Sequence, residues 1–485
     1  MPPEVPPPDT IAAAGLALAR RALSPVDLVE ACLARIARYD GMLRAYVTVT
    51  ADRARAQARA AEQEIVRGGW RGPLHGIPLA LKDIVQTAGI RTTCGSRVLA
   101  DWVPGEDATV WRRLAAAGAI LLGKLNMHEF AFRVPHPDFP TPRNPWDLER
   151  SCAGSSSGSG AAVAAGLCLG ALGTDTGGSI RLPAAYCGIV GLKPTYGLVS
   201  RAGVVPLAWT LDHVGPMART VEDAAILLEA IAGYDPADPA SARRAPEPYR
   251  AGLGRDLRGV RVGVVRQLLE GVVAPEVVAA TTGAAGVLRD LGLRVEPVEL
   301  PRLDDALTAY RTIVFSEAAA YHQAQLAARA GDYGPRLREQ LALGLAIPAA
   351  QYVNAQRLRR EVIRALGALL QQVDILLCPS APAEAQPIGQ QGVAIDGVLH
   401  DSPVVISRFT SVFNIAGLPA ISVPCGFSPG GLPLGLQLAG RPFADGLVLA
   451  VAWAYEQATG WTGRRPPLGP GLMTGRPARP GSGHR

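Results

Sequence analysis

Apolar positions recur at helical spacing early in the chain. Val29, Cys32, Leu33 and Ile36 fall on one face of a helix that Ser24-Pro25 opens. Ser24 supplies a capping oxygen, Pro25 suits the first turn, and Asp27 complements the positive helix end. An alanine- and charge-rich helix follows over about 51–67, broken by Gly72-Pro73-Leu74-His75-Gly76. Ile77-Pro78-Leu79-Ala80-Leu81 is an apolar run of strand length and predicts a buried strand that delivers Lys82. A helix over 107–117 and a strand over 119–123 come next. Residues 133–150 hold five prolines and read as loop. The pattern then predicts helix at 160–170, a turn-rich stretch at 190–205, helix at 220–232 and a linker at 235–256. Beyond that lie a strand at 260–265, an amphipathic helix at 275–291 and helices through 304–372. Strands at 373–378, 420–426 and 434–438 lead into a last helix at 444–459. Residues 1–10 and the Pro/Gly/Arg-rich tail after Pro466 read as disordered. Alternation of strands and helices implies an α/β fold around a largely buried sheet.

Composition supports a large core: 48% of the 485 residues are hydrophobic, but only 5% are aromatic. Packing therefore leans on Leu, Val, Ile and Ala. The formal charge of +6 is spread without a basic run, so nucleic acid is not the expected direct partner. Seven cysteines form no C-x-x-C pair and no cluster with histidine, which argues against a zinc site and fits buried thiols in a reducing compartment. The N-terminus has no basic segment followed by an apolar one, and the charge-free stretch 151–174 is too rich in Ser and Gly to span a membrane. A cytoplasmic enzyme without membrane contact is expected.

The chemistry concentrates between Cys152 and Ala185, where Ser155-Ser156-Ser157-Gly158 and Gly177-Gly178-Ser179 bracket a small-residue helix. A serine hydroxyl needs a proton acceptor to become a nucleophile. None of the seven histidines sits in a convincing motif. The only lysines are Lys82, Lys124 and Lys193, and Lys82 follows an apolar run. Burial disfavours a lysine's charged form; bringing its pKa from about 10.4 to near 7–8 takes roughly 3–5 kcal/mol. An ion pair with Asp83 is the competing role for Lys82. The glycines before Ser179 allow several N–H groups to converge on one point, as an oxyanion hole requires, though an ordinary helix-opening turn uses the same residues. Gly154-Ser155-Ser156-Ser157-Gly158 fits G-x-S-x-G formally, but residues 144–150 do not read as the strand that elbow needs.

These residues resemble the amidase signature family. The likeness runs through Lys82-Asp83, Gly154-Ser155-Ser156, and Gly173-Thr174-Asp175-Thr176-Gly177-Gly178-Ser179-Ile180-Arg181. It continues in Gly191-Leu192-Lys193-Pro194-Thr195, Leu211-Asp212-His213-Val214-Gly215-Pro216, Asn414-Ile415-Ala416-Gly417-Leu418-Pro419-Ala420 and Gly435-Leu436-Gln437, and covers about 24–465. The resemblance implies a large twisted mixed β-sheet covered by helices on both faces. It implies an N-terminal arm (1–23), a single domain (24–466) with a variable substrate-side insertion at about 235–372, and a disordered tail (467–485).

The same resemblance implies a Ser-Ser-Lys hydrolase of linear amides. Ser179 would be the nucleophile, Ser155 a proton relay held by a cis peptide bond, and Lys82 the base. Ser156 would support the network, the amides of Thr176, Gly177, Gly178 and Ser179 would hold the oxyanion, and Asp175 and Arg181 would brace the loop. No cofactor and no metal are implied. The expected partner is a small-molecule amide, and dimers are common among such enzymes, so a homodimer is an open expectation. Two departures bear on specificity: Ser157 replaces a glycine, and the 131–143 loop is shorter than usual, with Ala131-Phe132-Arg133 in place of a polar stretch. The alternative is the glutaminase component of a tRNA-dependent glutamine amidotransferase; Leu182, where that component usually has glutamine, speaks against it. A silent binding protein on the same fold is the third possibility.

Overall fold

The computed structural model describes residues 8–468. Three strands, Pro78–Lys82, Ile120–Leu125 and Gly170–Asp175, are buried at every position, which requires cover on both sheet faces. They lie near one end of an eleven-stranded sheet. In spatial order its strands are Tyr46–Val49, Ile120–Leu125, Pro78–Lys82, Gly170–Asp175, His213–Ala218, Val190–Lys193, Ala420–Phe427, Pro433–Gly440, Ile375–Pro379, Arg261–Val265 and Arg294–Val298. Pairing is mixed: parallel where Pro78–Lys82 meets its two neighbours, antiparallel through the centre, and parallel again at the far edge. The chain is an α/β protein built on a large mixed sheet.

Most elements lie where the hydrophobic pattern put them. Ser24 Oγ accepts the Val26 amide at 3.0 Å and opens the helix Pro25–Leu43, whose Val29, Cys32, Leu33 and Ile36 are buried. Several stretches differ, among them 160–170, where the helix Ser157–Ala164 has already ended and the strand Gly170–Asp175 begins. The segment before residue 24 holds a helix, Ile11–Ala19, with Ile11, Ala14 and Leu18 fully buried. Within 133–150 the polar segment Asp147–Ser151 is a strand paired with Arg143–Asn144. A strand therefore does precede Gly154-Ser155, but in a small separate ribbon, not in the main sheet that a nucleophile elbow requires. The stretch 190–205 contributes the strand Val190–Lys193. Residues 235–256 pack down through buried Tyr249 and Leu253, and Asp238 accepts two bonds from the Arg201 guanidinium. The expected tail lies outside the described residues beyond Leu468. All seven cysteines are unpaired and buried. Among the described residues no helix is long and apolar enough to cross a membrane.

Candidate active site

Lys82 ends a core strand, and its side chain is fully enclosed. Its Nζ lies 2.6 Å from Ser155 Oγ and 2.7 Å from Thr174 Oγ1. The neighbouring carboxylate does not neutralise it. Asp83 points to Lys124, 3.3 Å away, and accepts from the Thr93 amide and hydroxyl. Burial without a carboxylate in contact pushes the Lys82 pKa down to about 7, opposed in part by Asp175 and Asp212. Lys193 is depressed equally, to about 7, but its ammonium is held by the carbonyl oxygens of Pro194 and Leu418. Geometry rather than basicity therefore singles out Lys82, because only Lys82 meets a serine hydroxyl.

Ser155 follows two consecutive residues in the left-handed region, Ala153 (φ 51°) and Gly154 (φ 57°). These turn the chain back on itself; the expected cis bond is absent, no peptide bond among the described residues being cis. Gly154 is required here: a Cβ would fall 2.6 Å from Pro183 Cδ and 3.2 Å from Ser179 Cα. The Ser155 loop thus lies directly against the Ser179 backbone. The His128 amide donates to the Ser155 carbonyl at 3.2 Å. Burial and nearby Lys82 push the His128 ring down to about 3, which leaves it neutral. Ser156 Oγ donates to the Thr174 carbonyl at 3.1 Å and accepts the Thr174 amide at 3.2 Å, pinning the helix Ser157–Ala164 to the strand Gly170–Asp175. Gly173 makes room: a Cβ there would meet Ser156 Oγ at 2.9 Å.

Past that strand the Thr176–Ser179 loop is braced from below. Asp175 accepts the amides of Gly178 (2.7 Å) and Ile180 (3.2 Å) and is paired with the Arg181 guanidinium at 2.9 Å. Arg181 holds the Asp175 carboxyl well below the usual range despite burial. Arg181 donates to Asn414 Oδ1 and Gln437 Oε1, and Asn414 donates back to Asp175 Oδ1 at 2.8 Å. Gly178 departs from the expected set: its amide is spent on Asp175 and is not free to meet a ligand. The amides of Thr176, Gly177 and Ser179 have no partner among the described residues.

Three further residues border this loop, and two of them, Thr410 and Tyr310, did not stand out in the sequence. Thr410 Oγ1 donates to the Gly177 carbonyl at 2.6 Å. The Tyr310 hydroxyl packs against Gly177 so closely that no Cβ fits. Asp212 accepts the Thr176 hydroxyl at 2.6 Å; burial raises its carboxyl to about 6. Thr410 and Tyr310 sit on helices more than a hundred residues downstream, so no local motif marks them. A cavity of about 210 Å³, lined by Ala131, Thr174, Thr176, Asp212 and Trp209 among others, opens beside Lys82's neighbour Thr174.

A mixed sheet thus brings together a buried lysine, a serine against its amine and a glycine-serine loop with unpartnered amides. The chain matches the Amidase family over residues 27–449 and belongs to it. It is 44% identical over 479 residues to a glutamyl-tRNA(Gln) amidotransferase subunit of Moorella thermoacetica, covering 93% of this chain and 97% of that one. Among solved structures it resembles, at TM-score 0.88 and 36% identity, a chain from a vestigial protein complex tied to the origins of an s-triazine catabolic enzyme, covering 93% and 98% of the two chains. A bacterial aryl acylamidase of the amidase signature family aligns at TM-score 0.87 and 29% identity, covering 96% and 99%.

Proposed function

We propose that the chain cleaves a carboxamide C–N bond through an acyl-enzyme on Ser179. The observation that carries this reading is the 2.6 Å contact between Lys82 Nζ and Ser155 Oγ in a site without a competing carboxylate on the lysine. Uncharged Lys82 takes the Ser155 proton, Ser155 takes the Ser179 proton, and Ser179 Oγ attacks the amide carbonyl. The free amides of Thr176, Gly177 and Ser179 receive the developing oxyanion; losing one such donor typically costs about 100- to 1,000-fold. The proton returns along the relay to the leaving nitrogen, which departs as ammonia or an amine. Water repeats the attack and releases the carboxylate. No cofactor or metal enters these steps, and the setting is cytoplasmic.

Relatives at 44% identity named as glutamyl-tRNA(Gln) amidotransferase subunits favour a second reading, in which glutamine is the amide and partner proteins receive the ammonia. The same residues perform the hydrolysis in both. Ammonia release is the test, measured with an amide panel that includes glutamine, with and without candidate partner proteins. Turnover of simple amides by the chain alone supports the stand-alone hydrolase. Glutamine turnover that appears only with partners supports the amidotransferase role. No ammonia under either condition, with Ser179 inert to a fluorophosphonate, overturns both.

A further inference from the structure

The peptide group between Gly177 and Gly178 lies in the middle of the glycine-serine loop, and both of its polar atoms are held. Its N–H donates to Asp175 Oδ1 at 2.7 Å. Its carbonyl accepts the Thr410 hydroxyl at 2.6 Å, delivered by the helix Ser402–Ile415. The two partners come from distant parts of the chain and grip opposite ends of one peptide dipole. With glycine on either side, no side chain restrains the torsions that flank this plane, so the two hydrogen bonds are what set it.

Thr410 is built into the loop rather than grazing it. The residue is fully buried. A Cβ on Gly178, whose φ is 129°, would fall 2.5 Å from Thr410 Oγ1 and 2.9 Å from Thr410 Cβ, so the glycine there admits the threonine. The Thr410 carbonyl accepts Arg181 Nη1 at 3.0 Å, and the carbonyl before it, on Phe409, accepts Gln437 Nε2 at 2.9 Å. Asn414, one turn further along the helix, donates to the Asp175 carboxylate at 2.8 Å. The brace that holds the N–H end of the plane thus also places the residue that holds its carbonyl end. On either side of the clamped plane lie the amides of Gly177 and Ser179, which have no partner among the described residues. The torsions joining that plane to its neighbours decide where these two amides point. We propose that Thr410 is a positioning residue: its hydroxyl fixes the Gly177–Gly178 plane so that the Gly177 and Ser179 amides face the developing oxyanion. It touches no reacting atom. This rests on the amide-hydrolase reading above and adds a residue to it.

Fluorophosphonate labelling tests the assignment, because Ser179 Oγ displaces fluoride while the phosphoryl oxygen takes the place of the oxyanion. Wild type, T410V and T410S are compared by intact mass for rate, final stoichiometry and the pH dependence of the rate. Valine keeps the shape and removes the donor; serine keeps the donor. In T410V the second-order rate is expected to fall by about 100-fold, the cost of a group misplaced by about 1 Å. Labelling still runs to the wild-type stoichiometry, and the pH inflection stays where the wild type has it, since the base is untouched. T410S regains most of the rate. A T410V protein that labels at the wild-type rate overturns the proposal, as does a T410S protein as slow as T410V. A loss confined to stoichiometry, or a pH inflection that moves, also overturns it, by assigning the effect to unfolding or to the base. Where valine leaves no labelled chain, T410A carries the same comparison; loss of the melting transition in both shows a residue needed for the fold and overturns the positioning role. A wild type that neither labels nor releases ammonia from the amide panel overturns the hydrolase reading, and this proposal with it.

Discussion

At the scale of single residues, the site is defined by which buried polar groups are satisfied and which are left free. Lys124 and Lys193 lie in the same core as Lys82, yet the first is paired with Asp83 and the second is held by backbone carbonyls. Lys82 alone is left to two hydroxyls. The same contrast separates the amide of Gly178, taken by Asp175, from the amides on either side of it. Gly177 is constrained by contact rather than by φ, because Tyr310 occupies the space of any side chain. Gly177→Ala must therefore displace either the tyrosine or the loop. Misplacing the loop by even about 1 Å is expected to cost on the order of 100-fold in kcat, read from ammonia release at saturating amide. A G177A protein with wild-type kcat would show that this loop does not hold the reacting group.

At the scale of elements, helix ends are tied together by buried carboxyls. Glu456, on the helix Asp445–Thr459, accepts the Val221 amide at 3.0 Å at the start of the helix Val221–Ile231. Asp223, in that helix's first turn, accepts the Ala12 amide at 2.9 Å and caps the helix Ile11–Ala19 in turn. Burial raises Glu456 to about 8 and Asp223 to about 7; the charges of Asp223 and Glu222 add to the first shift and that of Glu222 to the second. Both groups keep protons in the folded chain at pH values where the unfolded chain has released them. Their contribution to stability is full below the ordinary carboxyl range and is lost as pH rises through about 7 to 8. Glu456→Gln removes the Glu456 share of this dependence and leaves that of Asp223. Melting curves are expected to show wild-type Tm falling relative to E456Q as pH rises across that window. A constant difference between the two proteins would contradict the assignment.

For the molecule as a whole, the sequence revealed the catalytic candidates more readily than the frame that assembles them. Lys82 was legible because an apolar run precedes it, and Ser24 because its capping chemistry is local. The central strands Gly170–Asp175 and His213–Ala218 carry no such signal, because Gly, Ala and Pro interrupt the β-branched run that marks a strand. Glycine at 173 exists to admit Ser156, a requirement visible only in three dimensions. The brace around Asp175 was equally hidden, since Arg181 joins it to Asn414 and Gln437 from more than two hundred residues away. The proposed base role of Lys82, whose pKa burial lowers to about 7, is directly measurable. The second-order rate of Ser179 labelling by a fluorophosphonate, followed against pH by intact mass, is expected to rise with unit slope to a plateau through an inflection near the Lys82 pKa of about 7. In Lys82→Ala the rate falls and the inflection disappears. A wild-type rate flat through that region, or a Lys82→Ala protein that labels at the wild-type rate, would contradict the account.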